Sequence, residues 1–126
     1  MNGSMSGAMT RAVIVGTLLQ LAMVLAGHWL PAIAALFAPL GMAISFVAGW
    51  LVALWESVRG RFAATRGALA GGICALLGIL VSFALGDVEG LILLLGTLSS
   101  TVTGALGGLV GGALAGRTAS AGGIAR

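Results

Sequence analysis

The side chains that most often do chemistry are few in this sequence and lie far apart. There is one histidine, His28, and one cysteine, Cys74, and the only acids are Glu56, Asp87 and Glu89. A single histidine and a single cysteine cannot supply the ligands of a structural zinc or paired-histidine haem site. No serine, histidine and acid form the pattern of a nucleophilic triad, and no lysine is present for a phosphate-binding loop. We therefore expect no catalytic residue, no cofactor and no metal.

A second set of polar residues lies inside apolar stretches. Gln20 lies in the middle of the first such stretch, and Ser99, Ser100, Thr101 and Thr103 form a hydroxyl cluster in the last. Such groups in membrane helices usually bond their own backbone or a neighbouring helix, at about 0.6–2 kcal/mol each. The alternative is a polar stripe that lines a pore or a solute site. Gln20, Ser99, Thr101 and Thr103 are accordingly the candidate polar pathway.

No acid lies within an apolar stretch, and this absence bears on proton-coupled transport, which needs a titratable group near the middle of the membrane. Small multidrug exporters are also four-helix chains of about this length, but they use a membrane-embedded glutamate in their first helix. The most central polar residue of the first stretch here is Gln20, which cannot titrate. The sequence therefore does not resemble that family.

The composition indicates a membrane protein. Of the 126 residues, 60% are hydrophobic and 7% are charged, and the mean hydropathy is +1.17. A soluble domain has about 25% charged residues, so this chain cannot cover itself with a wetted surface. The six basic residues are all arginines at scattered places rather than in one patch. The net charge of +3 therefore does not indicate a nucleic-acid partner.

Four apolar segments are each long enough to cross a bilayer core of about 30 Å at 1.5 Å per helical residue. The predicted spans are residues 12–29, 32–55, 67–86 and 91–115, and Pro39 predicts a bend in the second span. A disordered tail (1–11), a basic loop (56–66) and a second tail (116–126) complete the chain. The predicted fold class is an all-α integral membrane protein, a four-transmembrane-helix bundle made of two antiparallel hairpins.

The distribution of charge predicts the orientation in the membrane. If the amino terminus is cytoplasmic, all six arginines lie on the cytoplasmic side, as the positive-inside rule favours. The predicted location is the bacterial inner membrane with both termini cytoplasmic, and the expected interface anchors are Arg11, Trp29, Trp55 and Arg59. A cleaved signal peptide is the alternative for the first segment. That segment is longer than the usual 7–15 apolar residues and ends in His28-Trp29.

Small residues recur at every fourth position of the last span, and a second row of them lies beside the first. Because i, i+4 residues lie on one helical face, this span has a broad face on which another backbone can approach closely. Other spans carry shorter rows. One face of the last span could contact another copy of the chain, which would make a homo-oligomer. The predicted helix-packing residues are Gly96, Ser100, Gly104, Gly108, Gly112, Gly78, Ser82, Gly41 and Gly49.

Two functions from different classes remain open. The first is a non-enzymatic accessory or assembly protein that acts through glycine-rich helix packing, with the lipid bilayer and a membrane protein or second copy as partners. The alternative is a small oligomeric channel or facilitator for an uncharged or weakly charged solute, which rests on Gln20, the hydroxyl cluster and the bend at Pro39.

Overall fold

The structure is a computed structural model that describes residues 7–125, with side chains described as far as residue 116. Within this range it contains helices and no strand. Four helical stretches are long and apolar enough to cross a membrane, namely Gly7–Trp29, Phe37–Glu56, Gly60–Ala84 and Gly90–Gly116. The chain is an all-α membrane bundle, as the sequence predicts. The five helices are α1 (Gly7–Trp29), α2 (Pro31–Ala34), α3 (Phe37–Glu56), α4 (Gly60–Ala84) and α5 (Gly90–Ala125).

Helices α3 and α4 form the centre of the bundle. They contact each other, and both contact α1 on one side and α5 on the other. In the described part of the chain α1 and α5 share no comparable contact. The bundle therefore has α1 and α5 at opposite edges.

The expected second span of residues 32–55 is broken rather than continuous. The short α2 has Pro31 in its first turn, and α3 begins only at Phe37. A proline ring clashes with the carbonyl four residues earlier, and for Pro39 that carbonyl belongs to Ala35, which lies in the break. The bend therefore lies one turn before the proline that predicts it.

A glycine turn ends α4 and carries the chain into α5. Gly86 has φ = +80°, a left-handed conformation that glycine adopts without strain. The amide of Gly86 donates to the Phe83 carbonyl, and the amide of Asp87 donates to the Ser82 carbonyl, each at 3.0 Å. This is the Schellman pattern of helix termination. It fixes Asp87 directly beyond the end of α4.

Three helix ends lie five or more residues outside the expected bounds. Helix α1 begins at Gly7 rather than Ala12, α4 begins at Gly60 inside the expected loop, and α5 continues to Ala125. At the α3–α4 connection the guanidinium of Arg66 donates two hydrogen bonds of 2.8 Å to the carboxylate of Glu56. Such bidentate pairs are strong, and this pair holds the first turns of α4 against the end of α3. Residues 1–6 of the expected tail lie outside the described range.

Four glycines bring the backbones of α3, α4 and α5 into direct contact. We call Gly49, Gly67, Gly71 and Gly104 the glycine node. A Cβ atom built on Gly71 would lie 2.8 Å from the Cα of Gly104, and one on Gly49 would collide with the Gly104 carbonyl. Since lipid gives helices no hydrophobic reason to associate, close backbone packing of this kind holds them together.

Both small-residue rows of α5 are in use within the chain. Gly108 lies against the Ala63 carbonyl of α4, and a Cβ on Gly112 would be 2.8 Å from the Cβ of Ala63. Gly107 meets the Phe46 carbonyl of α3. The two rows thus face α4 and α3. The row considered for contact with a second copy is already covered by the chain's own helices.

Candidate functional site

A cavity of about 600 Å³ lies among the four spanning helices, in the half of the bundle that contains His28 and Asp87. We call this half the acidic end and the opposite half, with Arg11, Arg59 and Arg61, the arginine end. Such a volume is in the range of small-molecule sites. The largest apolar side chains of its wall are Met23, Phe37, Met42, Ile79, Ile92 and Leu95.

Gln20 forms the floor of this cavity. Its side chain is 2% exposed, and Nε2 donates to the Gly41 carbonyl at 3.1 Å and to Ser45 Oγ at 3.3 Å. A carbonyl can only accept, so the amide nitrogen must point at α3. In all described hydrogen bonds of the Gln20 side chain, Nε2 is the donor. Its amide oxygen therefore remains available as an acceptor beside the cavity.

A buried polar chain continues below Gln20. Ser45 Oγ donates to the Gly71 carbonyl at 3.3 Å, and Cys74 Sγ donates to the same carbonyl at 3.3 Å. Cys74 is fully buried and packs where Gly16 leaves room, because a Cβ on Gly16 would be 2.8 Å from its sulfur. The lone cysteine therefore serves as a packing residue at the contact of α1 with α4.

The arginine end of the bundle is closed beneath this chain. The Ser45 carbonyl lies 3.0 Å from the place where a Cβ of Gly71 would be, so the polar chain leads directly into the glycine node. Backbones that touch leave no space for a solute between α3, α4 and α5. The cavity therefore ends at the glycine node and does not continue between α3, α4 and α5 to the arginine end.

Ser82 lines the cavity one helical turn beyond Gly78, towards the acidic end. The residue is 2% exposed, and no described donor or acceptor reaches its hydroxyl oxygen. A buried hydroxyl without a partner costs about 1–3 kcal/mol. Among the described side chains Thr17 and Thr97 share this condition, but only Ser82 of the three belongs to this cavity.

The candidate polar pathway is divided by the structure. Gln20 and Ser99 line the cavity, and Ser99 donates to the Gly96 carbonyl at 3.1 Å. Thr101 donates to the backbone of Thr97 and lines a separate groove of about 300 Å³ between α4 and α5. Thr103 donates to the Ser99 carbonyl at 2.7 Å and lies in neither space. These four residues thus do not form one continuous stripe.

A contact between a histidine and a carboxylate lies beside the cavity at the acidic end. His28 Nδ1 is 2.9 Å from Asp87 Oδ2 and 3.0 Å from Oδ1, and Asp87 also lines the cavity. The side chains are 31% and 22% exposed. The pair joins the last turn of α1 to the turn between α4 and α5.

The expected interface anchors lie at the two ends of the bundle. Trp29 is 78% exposed at the end of α1. At the arginine end the guanidinium carbon of Arg11 lies 5.3 Å from the centre of a Trp55 ring, within cation–π range. Arg59 lays its side chain along Gly116, where a Cβ would be 2.6 Å from its Cδ.

The remaining predicted packing residues have different surroundings. A Cβ on Gly78 would be 2.7 Å from the Cβ of Gln20, so Gly78 makes room for that side chain. Gly96 faces the end of the flexible Ile79 side chain at 2.7 Å. At Gly41 the nearest atom would be 3.6 Å away, in ordinary contact. Ser100 is buried on the row that faces α4, and it also lines the cavity.

Two features of this site were missed from the sequence. Ser82 was counted as one more small packing residue, although a hydroxyl in a row of glycine and alanine was a usable signal. The sequence analysis also does not pair His28 with Asp87, although the predicted topology places both residues at the same end of the bundle.

The cavity wall is mostly apolar. Its polar groups are hydroxyls, one amide and one acid, Asp87, which is in contact with His28. Among the described residues no three metal-ligating side chains lie together. The chain matches no protein-family model, and no curated protein or solved structure is similar to it.

Proposed function

We propose that this multi-pass membrane protein is a non-enzymatic binding protein that takes up a small, uncharged and mainly apolar molecule in its cavity. The observation that carries the proposal is a mostly apolar cavity of about 600 Å³ in whose wall the amide oxygen of Gln20 has no described hydrogen bond. A hydrogen bond from a bound molecule would satisfy that oxygen.

The scarcity of charged groups in the wall supports an uncharged ligand. Placing an isolated charge in an apolar site is very unfavourable, and the one charged residue of the wall, Asp87, is already in contact with His28. The proposal is closer to the solute facilitator considered from the sequence than to an accessory protein. An accessory role rested on small-residue faces, and α5 uses both of its rows on α3 and α4.

We propose further that the acidic end faces the outside and the arginine end faces the cytoplasm of a bacterial inner membrane. All six arginines then remain on the cytoplasmic side. With this orientation the cavity receives its ligand from the outer leaflet. Passage to the other side needs a rearrangement at the glycine node, so binding rather than free conduction is the expected activity.

Photolabelling tests the proposal. The probe is octanol that carries a diazirine ring, added to the purified protein in lipid nanodiscs, and adducts are mapped by mass spectrometry. We expect saturable labelling at Met23 and Ile79 of the cavity, and labelling that rises linearly with probe at the lipid-facing Leu18. Labelling of the cavity that does not saturate would rule out a binding site.

A matched pair of variants on α3 locates the site. Ala38 lines the cavity, whereas Ala43 is exposed on α3 away from it. Ala38→Phe should reduce the saturable labelling by filling space, and Ala43→Phe should leave it unchanged. A flux assay in liposomes with glycerol as the solute then distinguishes binding from passage, and we expect no flux above that of protein-free liposomes.

A further inference from the structure

The polar groups of the cavity differ in which of their donor and acceptor atoms remain without a partner. Gln20 directs its amide hydrogens to α3, at 3.1 Å to the Gly41 carbonyl and 3.3 Å to Ser45 Oγ. What it offers to the cavity is therefore the carbonyl oxygen of its amide. An amide oxygen has two lone pairs and no hydrogen.

Ser99 likewise offers only an acceptor to the cavity. Its single hydroxyl hydrogen is directed at the Gly96 carbonyl at 3.1 Å, so only its lone pairs remain for another molecule. Ser82 has no partner among the described residues, but less than 1 Å² of its oxygen is exposed. Ser100 also lines the cavity, and its hydroxyl can rotate to donate or to accept. The fixed hydrogen-bonding capacity of the cavity is thus that of an acceptor.

We propose that the ligand of this cavity is a hydrogen-bond donor, an uncharged amphiphile with a hydroxyl or N–H group, and that Gln20 selects it by accepting its hydrogen. The inference rests on the proposed function and adds the class of ligand. Ketones, ethers and esters of the same size offer only acceptors, so they face the oxygens of Gln20 and Ser99 without a hydrogen between them.

The magnitude of the selection follows from the energy of one hydrogen bond. A net hydrogen bond changes affinity by about three- to tenfold.

Competition between two molecules of the same chain length tests this inference. Photolabelling of the cavity by the diazirine octanol is measured in nanodiscs while 1-octanol or 2-octanone is added, with both compared at equal concentrations in the bilayer. We expect 1-octanol to compete at concentrations about three- to tenfold lower than 2-octanone does. Equal competition by both molecules would overturn the donor requirement while leaving the saturable labelling, and hence the proposed function, intact.

Two variants assign the selection to Gln20. Gln20→Met keeps the length of the side chain and removes the acceptor, so the preference for the alcohol should disappear. Thr17→Val is the matched control, because Thr17 is a polar residue of α1 outside the cavity, and it should keep the preference. A preference that persists in Gln20→Met would overturn the role of Gln20. If that variant does not fold, the comparison of the two competitors on the unaltered protein still decides the donor requirement.

Discussion

The Nδ1 atom of His28 lies 2.9 Å from a carboxylate oxygen of Asp87, and this contact joins two parts of the chain 59 positions apart. Its effect on the bundle follows from what else holds α1. Helices α3, α4 and α5 touch through glycine backbones, whereas α1 meets α3 and α4 through the side chains of Gln20, Cys74 and Ala48. The contact of His28 with Asp87 therefore holds one end of a helix that meets its neighbours through side chains.

Removing the contact between His28 and Asp87 should make the last turn of α1 open more often. In Asp87→Asn we expect faster amide hydrogen exchange in the last turn of α1, by up to about fivefold, since a partly exposed pair contributes about 1 kcal/mol or less. Hydrogen exchange with mass spectrometry measures this. Glu89→Gln, an acid of the same turn, is the control, and equal exchange in both variants would contradict a specific role for Asp87.

The glycine node should be the part of the fold that tolerates an added Cβ atom least. In Gly104→Ala the new Cβ would collide with the Gly67 carbonyl and lie 2.9 Å from the Cα of Gly71. We expect a loss of about 1–3 kcal/mol in the free energy of unfolding, measured by SDS titration in mild detergent. Gly41→Ala is the matched control, because its Cβ makes ordinary contacts at 3.6 Å. It should be neutral or stabilising by up to about 1 kcal/mol, and a similar loss in both variants would refute the distinction.

The packing of Gly108 predicts a defect within one chain. A leucine there would collide with the Ala63 carbonyl and with the backbone of Gly67, so Gly108→Leu should lower the yield of folded protein whatever the oligomeric state. Val102→Leu, at a position 61% exposed on α5, should leave the yield unchanged. Light scattering coupled to size exclusion measures both yield and mass. A Gly108→Leu protein of normal yield but smaller particle mass would instead indicate that this row holds an oligomer together.

The proposed orientation predicts the behaviour of fusions at the carboxyl terminus. A fluorescent protein that folds only in the cytoplasm should be bright there, and alkaline phosphatase, which needs the periplasm, should be inactive. The physical reason is the accumulation of Arg11, Arg59, Arg61 and Arg66 at one end. The opposite pattern would invert the bundle and place the cavity in the inner leaflet.

The spanning helices could be predicted from the sequence because hydropathy and length determine them directly. Their ends could not be predicted as well, since the start of α4 at Gly60 depends on tertiary contacts such as that of Arg66 with Glu56. Pro39 predicts a bend in the second span without giving its position, and the helix is interrupted in the turn before this proline, where the proline ring clashes with the backbone.

The cavity could not be predicted because it depends on how far the helices diverge beyond the glycine node. The sequence identified Gln20 as a polar residue in need of a partner, and the structure supplies Gly41 and Ser45. Which atom of Gln20 remains available depends on the position of those acceptors on α3, and no spacing in the sequence reports that.

The position of α5 against both α3 and α4 has a consequence for biosynthesis. This helix is synthesised after α3 and α4, and its glycine rows supply backbone contacts to both of them. Before α5 enters the membrane, α1, α3 and α4 have only the contacts that they make with one another. A chain truncated before Gly104 would lack the contacts of the glycine node that involve α5.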